Sequence, residues 1–320
     1  MDAIRTEQLT KHYPIGFWRP RPYVALHPLT LSVESGEVFG FLGPNGAGKT
    51  TTLKLLMQLV FPTAGFAEIL GRPVGDAATK RRIGYLPENP YFYDHLTAEE
   101  LLAYFAGLFG YRGADRRTRA ARLLDEVGIG AERRMQLRKF SKGMVQRVGI
   151  AQALVNEPDV VFFDEPMSGL DPLGRRAIRE LILRLRARGC TVFFSSHVLS
   201  DAEALCSRVA ILAGGRLVAT GRLSEIHALE ARGWDLVVSG LSPHVLEPLA
   251  RSGRVLQATD IGHDRYALEL PVTEEPHALL TELAPAGVRL VSVQPLRDSL
   301  EDYFVRQVGA ATKDRGLGTA

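Results

Sequence analysis

The residues Gly43-Pro44-Asn45-Gly46-Ala47-Gly48-Lys49-Thr50 complete a G-x-x-x-x-G-K-[ST] pattern. Glycines at 43, 46 and 48 let successive backbone N–H groups converge on phosphate oxygens at a helix start. Lys49 can then reach the outer phosphates and the Thr50 hydroxyl can hold Mg²⁺, with Asn45 and Thr51 in the same phosphate-binding set. A second chemical pair, Asp164-Glu165, closes the apolar run Val160-Val161-Phe162-Phe163. Acids at the end of a buried strand beside a phosphate loop suit a metal contact from Asp164 and a water-polarising base at Glu165. Two further polar residues end apolar strands: Glu88, in a loop kept extended by Pro87 and Pro90, and His197, after Thr191–Ser196. Ser141 and the Gly143 amide open another helix and form a second anion-binding end. Taken singly, these last three have plainer readings as a solvated glutamate, a structural histidine and an ordinary N-cap.

The elements that must position these groups are legible around them. Glu37 to Leu42 reads as a buried strand, and Leu53, Leu56, Met57 and Val60 mark one face of a helix over 51–60, so the loop joins strand to helix. Upstream, 4–13 and 26–34 read as strands separated by a segment with Pro14, Gly16, Pro20 and Pro22, where regular structure is not expected. Tyr13, where the first strand ends, is either an adenine-stacking ring or a surface tyrosine. Beyond a turn at 61–65, a short strand is expected near 66–71. From about 97 to 157 the composition turns helical and Arg-rich, with Leu101, Leu102, Phe105 and Leu108 on one face. Arg116, Arg117, Arg119 and Arg122 are expected on solvated faces. Residues 209–212 and 217–220 read as a closing hairpin.

With 320 residues, one large domain plus a smaller one is the natural division. The net charge of +3 argues against a dedicated nucleic-acid binder. Cys190 and Cys206 stand alone, without a C-x-x-C pair or a signal-like start, as expected for core thiols in a reducing cytosolic setting. The apolar runs are strand-length, too short to cross a bilayer, so work at a membrane would need a separate chain.

Taken together, these motifs over residues 1 to about 221 resemble, in order, the ATP-binding subunit of ATP-binding-cassette (ABC) transporters. Gly43–Thr50 is similar to the family's Walker A loop, Phe162–Glu165 to the end of its Walker B strand, and Ser141-Lys142-Gly143-Met144-Val145-Gln146 to its signature motif. Ser168–Asp171 resembles its D-loop and His197 its switch histidine. The resemblance implies an α/β P-loop NTPase cassette, in which a mixed sheet core carries an antiparallel β subdomain and a helical insert at about 90–157. It also implies a dimer, of two copies or of this chain with a similar subunit, in which each ATP lies between one Walker A loop and the partner's signature motif, with Ser141 and Gly143 acting in trans and Asp171 also among the nucleotide-binding residues. Glu165 is then the general base, His197 a γ-phosphate contact, and Thr50, Asp164 and Glu88 the Mg²⁺ set. The chain departs from the pattern twice. Its signature reads Phe-Ser-Lys-Gly-Met in place of Leu-Ser-Gly-Gly-Gln, and Glu88 stands where glutamine is usual.

Residues 222–308 read as strand, helix, two strands, helix and strand, a small α+β ferredoxin-like domain. A final helix from Asp298 and a disordered tail at 309–320 are expected to follow. Export-type bacterial cassette subunits carry a similar extension, which implies an integral membrane permease as partner, a cytoplasmic position on the inner face of the membrane, and no nucleic acid. Exposed aromatics at Tyr91, Phe92 and Tyr93 within Asn89–His95 suit the permease contact.

Overall fold

The computed structural model describes residues 1–16, 18, 21–223 and 233–296. These fall into two compact units divided after Leu223. In the first, β1 (Asp2–Ile15) and β2 (Arg21–Glu34) form a long antiparallel hairpin, followed by β3 (Val38–Leu42) and α1 (Lys49–Leu56). Next come β4 (Ala64–Ile69), β5 (Arg72–Pro73), α2 (Ala77–Lys80) and β6 (Ile83–Leu86). The helices α3 (Ala98–Leu108), α4 (Gly113–Glu126) and α5 (Lys142–Ala153) lead to β7 (Val160–Asp164). The unit then runs through α6 (Pro172–Ala187), β8 (Thr191–Ser196), α7 (Leu199–Leu205), β9 (Arg208–Ala213) and β10 (Arg216–Arg222).

One sheet has the order β10-β9-β3-β8-β7-β6, parallel from β9 to β6, and a smaller antiparallel sheet has the order β2-β1-β4-β5. β3, β7 and β8 are buried along their whole length, which is why they read as unbroken apolar runs. Phe193 is the centre of that core, with Phe41, Phe39 and Phe162 at ring distances of 5.1, 5.6 and 5.7 Å. The parallel register pairs Leu42 with Ser196 and Asp164 with Ser195, so the carboxyl ends of three strands finish in line.

Two sequence expectations are corrected. The segment 14–23 is not irregular throughout, because Tyr13 pairs with Tyr23, Pro14 with Pro22 and Ile15 with Arg21. Prolines are tolerated there because β2 is an edge strand and β1 has passed its last pairing with β4, Thr10 to Ala64, so the missing N–H groups leave no ladder bond unmade. Arg119 is not on a solvated face. It is buried, donates to the carbonyls of Val155 and Leu154, and pairs with Glu157, pinning α4 to the approach of β7.

The second unit comprises β11 (Gly233–Ser239), helix Pro243–Arg251, β12 (Gln257–Gly262), β13 (Arg265–Pro271), helix Pro276–Leu283 and β14 (Arg289–Leu296). Its antiparallel sheet has the order β12-β13-β11-β14, and Leu236, Val238, Leu268 and Leu270 pack with Leu249, Leu279 and Leu283 of the helices. Arg254 bridges Glu274 and Glu282. The helix expected from Asp298 and the tail at 309–320 lie outside the described residues.

Because Phe193 joins three strands, truncating it leaves a cavity beneath the aligned strand ends. Phe193→Ala is expected to destabilise the first unit by about 3–5 kcal/mol, read as a lowered urea midpoint for that unit's transition. A loss below about 1 kcal/mol would show that the core collapses to fill the gap.

Candidate active site

The loop after β3 turns into α1 at Gly48, whose φ of 104° is a left-handed conformation that glycine adopts without strain. No side chain caps α1, whereas α3, α5 and α6 are capped by Thr97, Ser141 and Asp171. Its first N–H groups, like those of α4 and α7, which also lack a side-chain cap, are open to solvent or to a ligand. Lys49 lies buried beneath the loop and donates from Nζ to the Gly43 carbonyl at 2.6 Å and the Pro44 carbonyl at 3.3 Å. Its ammonium also stands 3.4 Å from Glu165 Oε1. The other oxygen of Glu165 meets His197 Nδ1 at 2.9 Å, so cation, carboxylate and imidazole form one chain across the strand ends.

Asp164 is wholly buried, and Oδ1 accepts from the Ser195 hydroxyl at 2.5 Å. The same hydroxyl accepts from the Glu165 N–H at 3.0 Å, helping to hold a backbone whose φ of 50° is uncommon for a non-glycine residue. Asp164 Oδ2 is buried without a hydrogen-bond partner among the described residues. Burial pushes this carboxyl above its ordinary value. The Ser195 and Thr50 hydroxyls hold it back, and the charges of Glu88 and Glu165 add to the rise. Burial, with help from Asp164 and Glu88, also pushes the nearby Tyr85 phenol up to about 12.

Tyr13, Asn45, Gly46, Gly48, Lys49, Thr50, Thr51, Glu88 and Glu165 line one cleft of about 410 Å³. Gly43 sits behind it through Lys49, and His197 reaches it through Glu165. Ser141, Gly143 and Asp171 do not line it. Ser141 and Asp171 instead accept from Met144 N at 3.3 Å and Gly174 N at 2.8 Å as caps of their own helices. Among the described residues no three His, Cys, Asp or Glu side chains come together as a metal site, so any cation here needs hydroxyl or phosphate oxygens as well. The orphaned Asp164 Oδ2 beside Thr50 suits such a mixed set. A larger groove of about 920 Å³, between α4 and the end of α6, is occupied by ion pairs such as Arg122 to Glu157 and Arg188 to Glu126, and offers no phosphate-binding loop.

The ABC transporter family model matches residues 26–168. An ABC transporter ATP-binding protein of Synechocystis is 44% identical over 321 residues, covering 100% of this chain and 87% of that protein. The chain belongs to the ABC transporter ATP-binding proteins. A fluoroquinolones export ATP-binding protein of Mycobacterium tuberculosis is 37% identical, over 72% of this chain and 74% of that protein. A dimeric ATP-binding cassette solved in a post-hydrolysis state with ADP and Pi aligns at TM-score 0.63 and 28% identity, covering 69% of this chain and 98% of the other. This ABC subunit is accordingly an ATPase of the P-loop class.

Three residues of the ABC subunit's site were not singled out in its sequence. Ser195 braces both acids, and only its place at the end of the strand beside β7 could have marked it. Tyr23 joins Tyr13 in the cleft because the hairpin pairs them. Gln146, buried in α5, donates to the carbonyls of Glu165 and Pro166 at 3.3 and 3.4 Å, tying α5 to the chain just after β7.

The raised Asp164 carboxyl has a consequence for stability. Neutral Asp164 favours the folded state below the carboxyl's ordinary value, and that contribution is lost as pH rises through the higher folded value. Asp164→Asn keeps an acceptor for Ser195 without the buried charge. It is expected to raise the nucleotide-free melting temperature by a few degrees at pH 8, on the order of 1 kcal/mol, with a smaller gain near pH 4.5. A lower melting temperature for the variant at pH 8 would refute the claim.

Proposed function

We propose that this chain dimerises head to tail on ATP and drives a separate membrane permease, in the direction of export, from the cytoplasmic face. What supports the dimer most directly is the separation of two anion-holding ends: the uncapped start of α1 inside the cleft and the Ser141 end of α5 outside it. One subunit would supply the Walker A loop, with Tyr13 stacking the adenine. Its partner, a second copy or a similar chain, would supply Ser141, Gly143 and Asp171 to the same ATP.

In the hydrolytic step a water oxygen attacks the γ-phosphorus, the bond to the β-phosphate oxygen breaks, and Glu165 takes the water's proton. Lys49 exchanges its contact with Glu165 for the phosphates, which frees the carboxylate to act. His197 holds Glu165 from one side and would meet the γ-phosphate from the other. Thr50, Asp164 and Glu88 would hold Mg²⁺, which supplies positive charge to the β- and γ-oxygens.

Exposed aromatics lie in and beside the loop 89–95, with Tyr91 94%, Tyr93 65% and Tyr104 55% accessible, whereas Phe92, expected to be exposed with them, is half-buried. They suit a permease contact, since interfaces favour aromatic residues and no described helix is long and apolar enough to cross a membrane. The relative named for fluoroquinolone export supports the direction. We assign the second unit a ferredoxin-like fold on its strand order and antiparallel pairing.

Glu165→Gln is expected to abolish steady-state hydrolysis, keep ATP binding, and elute as a dimer with ATP in gel filtration. Retained turnover would place the base elsewhere. Glu88→Gln is expected to raise the Mg²⁺ concentration needed for half-maximal rate while holding the rate within roughly tenfold, about 1.4 kcal/mol in the barrier. An unchanged midpoint in the Mg²⁺ titration would remove Glu88 from the metal set.

A further inference from the structure

Glu165 also lines a second, smaller cavity of about 80 Å³, whose wall contains no residue of the phosphate loop. His197, Ser168, Arg175 and Asp201 share that wall. It is polar and roomy enough for water to bridge its groups. Asp201 is a buried carboxylate that the hydrolytic step does not use. Its side chain is 5% exposed, it accepts no hydrogen bond among the described residues, and its ion-pair partner, Arg175, is 4.0 Å away. Buried carboxylates are normally satisfied more fully than this. Burial pushes the Asp201 carboxyl above its ordinary value. Arg175 and Arg179 hold it back, Glu165 adds to the rise, and His197 offsets it. The charge of Asp201 is therefore felt by both members of the Glu165–His197 pair.

His197 needs outside support to keep its place. Its side chain is 48% exposed, and its one hydrogen bond among the described residues is the 2.9 Å contact from Nδ1 to Glu165. The chain after it turns on the Ser196 hydroxyl, which accepts from the Val198 N–H at 2.9 Å, and α7 then starts without a side-chain cap. Asp201 lies in the first turn of α7, and Arg175 in the first turn of α6, just past the D-loop. Their pairing ties the helix that follows the histidine to the helix that follows the D-loop.

We infer that Asp201, set by Arg175, is a positioning residue that holds the His197 imidazole against Glu165 across this cavity. The inference rests on the reading above that Glu165 is the base and His197 its partner. An acid in the first turn of α7 would also complement the helix dipole, a purely structural service that leaves turnover alone. The two roles differ in what they do to kcat.

The test is steady-state ATP hydrolysis by the full-length protein carrying Asp201→Asn, Asp201→Glu, Arg175→Gln, or Asp201→Asn with Arg175→Gln, with His197→Ala as reference. Asp201→Asn keeps the shape and removes the charge. It is expected to lower kcat about tenfold while KM for ATP stays within about twofold. Asp201→Glu restores the carboxylate and is expected to remain within about threefold of the parent. The double variant should be no slower than Asp201→Asn alone, because both changes break one contact. If His197→Ala turns over at the parent rate, the Glu165–His197 reading fails, and this inference with it. If His197→Ala is inactive and Asp201→Asn matches the parent in kcat, only the role of Asp201 is overturned, and a lowered melting temperature in that case would assign it to the helix dipole. Equal losses in the Asn and Glu variants, or losses that multiply in the double variant, would likewise overturn it.

Discussion

Two adjacent carboxylates are buried at the end of one strand, and the structure around them manages the cost of keeping them there. Like charges in a low-dielectric interior repel strongly and lose their hydration, so each needs its own compensation. Asp164 accepts a hydrogen bond from the Ser195 hydroxyl, and Glu165 faces an ammonium and an imidazole. Those partners come from β8, from the segment just past it, and from the first residue of α1, so the compensation is available only if the parallel strands hold their register. A one-residue slip would turn Ser195 to the opposite face of the sheet. The aromatic cluster around Phe193 in the same sheet is thus the mechanical condition for the electrostatics above it.

The compensation is deliberately incomplete. Asp164 Oδ2 and Glu165 Oε1 are buried without hydrogen-bond partners among the described residues, although Lys49 lies within ion-pair distance of the latter. Proteins seldom leave buried oxygens in that state, and where they do a ligand commonly completes the set. The uncapped start of α1 shows the same deficit with the opposite sign, as donors without acceptors. A nucleotide phosphate with its counter-ion would fill both deficits at once.

Much of this was legible in the residues, for a physical reason. Strands buried on both faces must be apolar throughout, so β3, β7 and β8 declared themselves, and polar residues that interrupt such runs fall at the strand ends where chemistry gathers. The brace by Ser195 was hidden because a serine in an apolar strand announces no partner until the strand order is known. The hairpin through Pro14 and Pro22 was hidden because proline forbids a ladder bond only where one is required, and an edge requires none. Arg119 was hidden among other arginines of α4, since its burial depends on carbonyls of Leu154 and Val155, far away in the chain.

Those last contacts bear on how the halves of the first unit communicate. Arg119 fixes α4 of the insert to the approach of β7, while Gln146 fixes α5 to the backbone just after Glu165. The strand carrying both acids is therefore held from the insert at both its ends. A displacement of α5 would pull directly on the carbonyls of Glu165 and Pro166, in a segment whose φ of 50° at Glu165 is already away from the common basins. The backbone at Glu165 thus ties α5 to the cleft lined by Lys49 and Thr50.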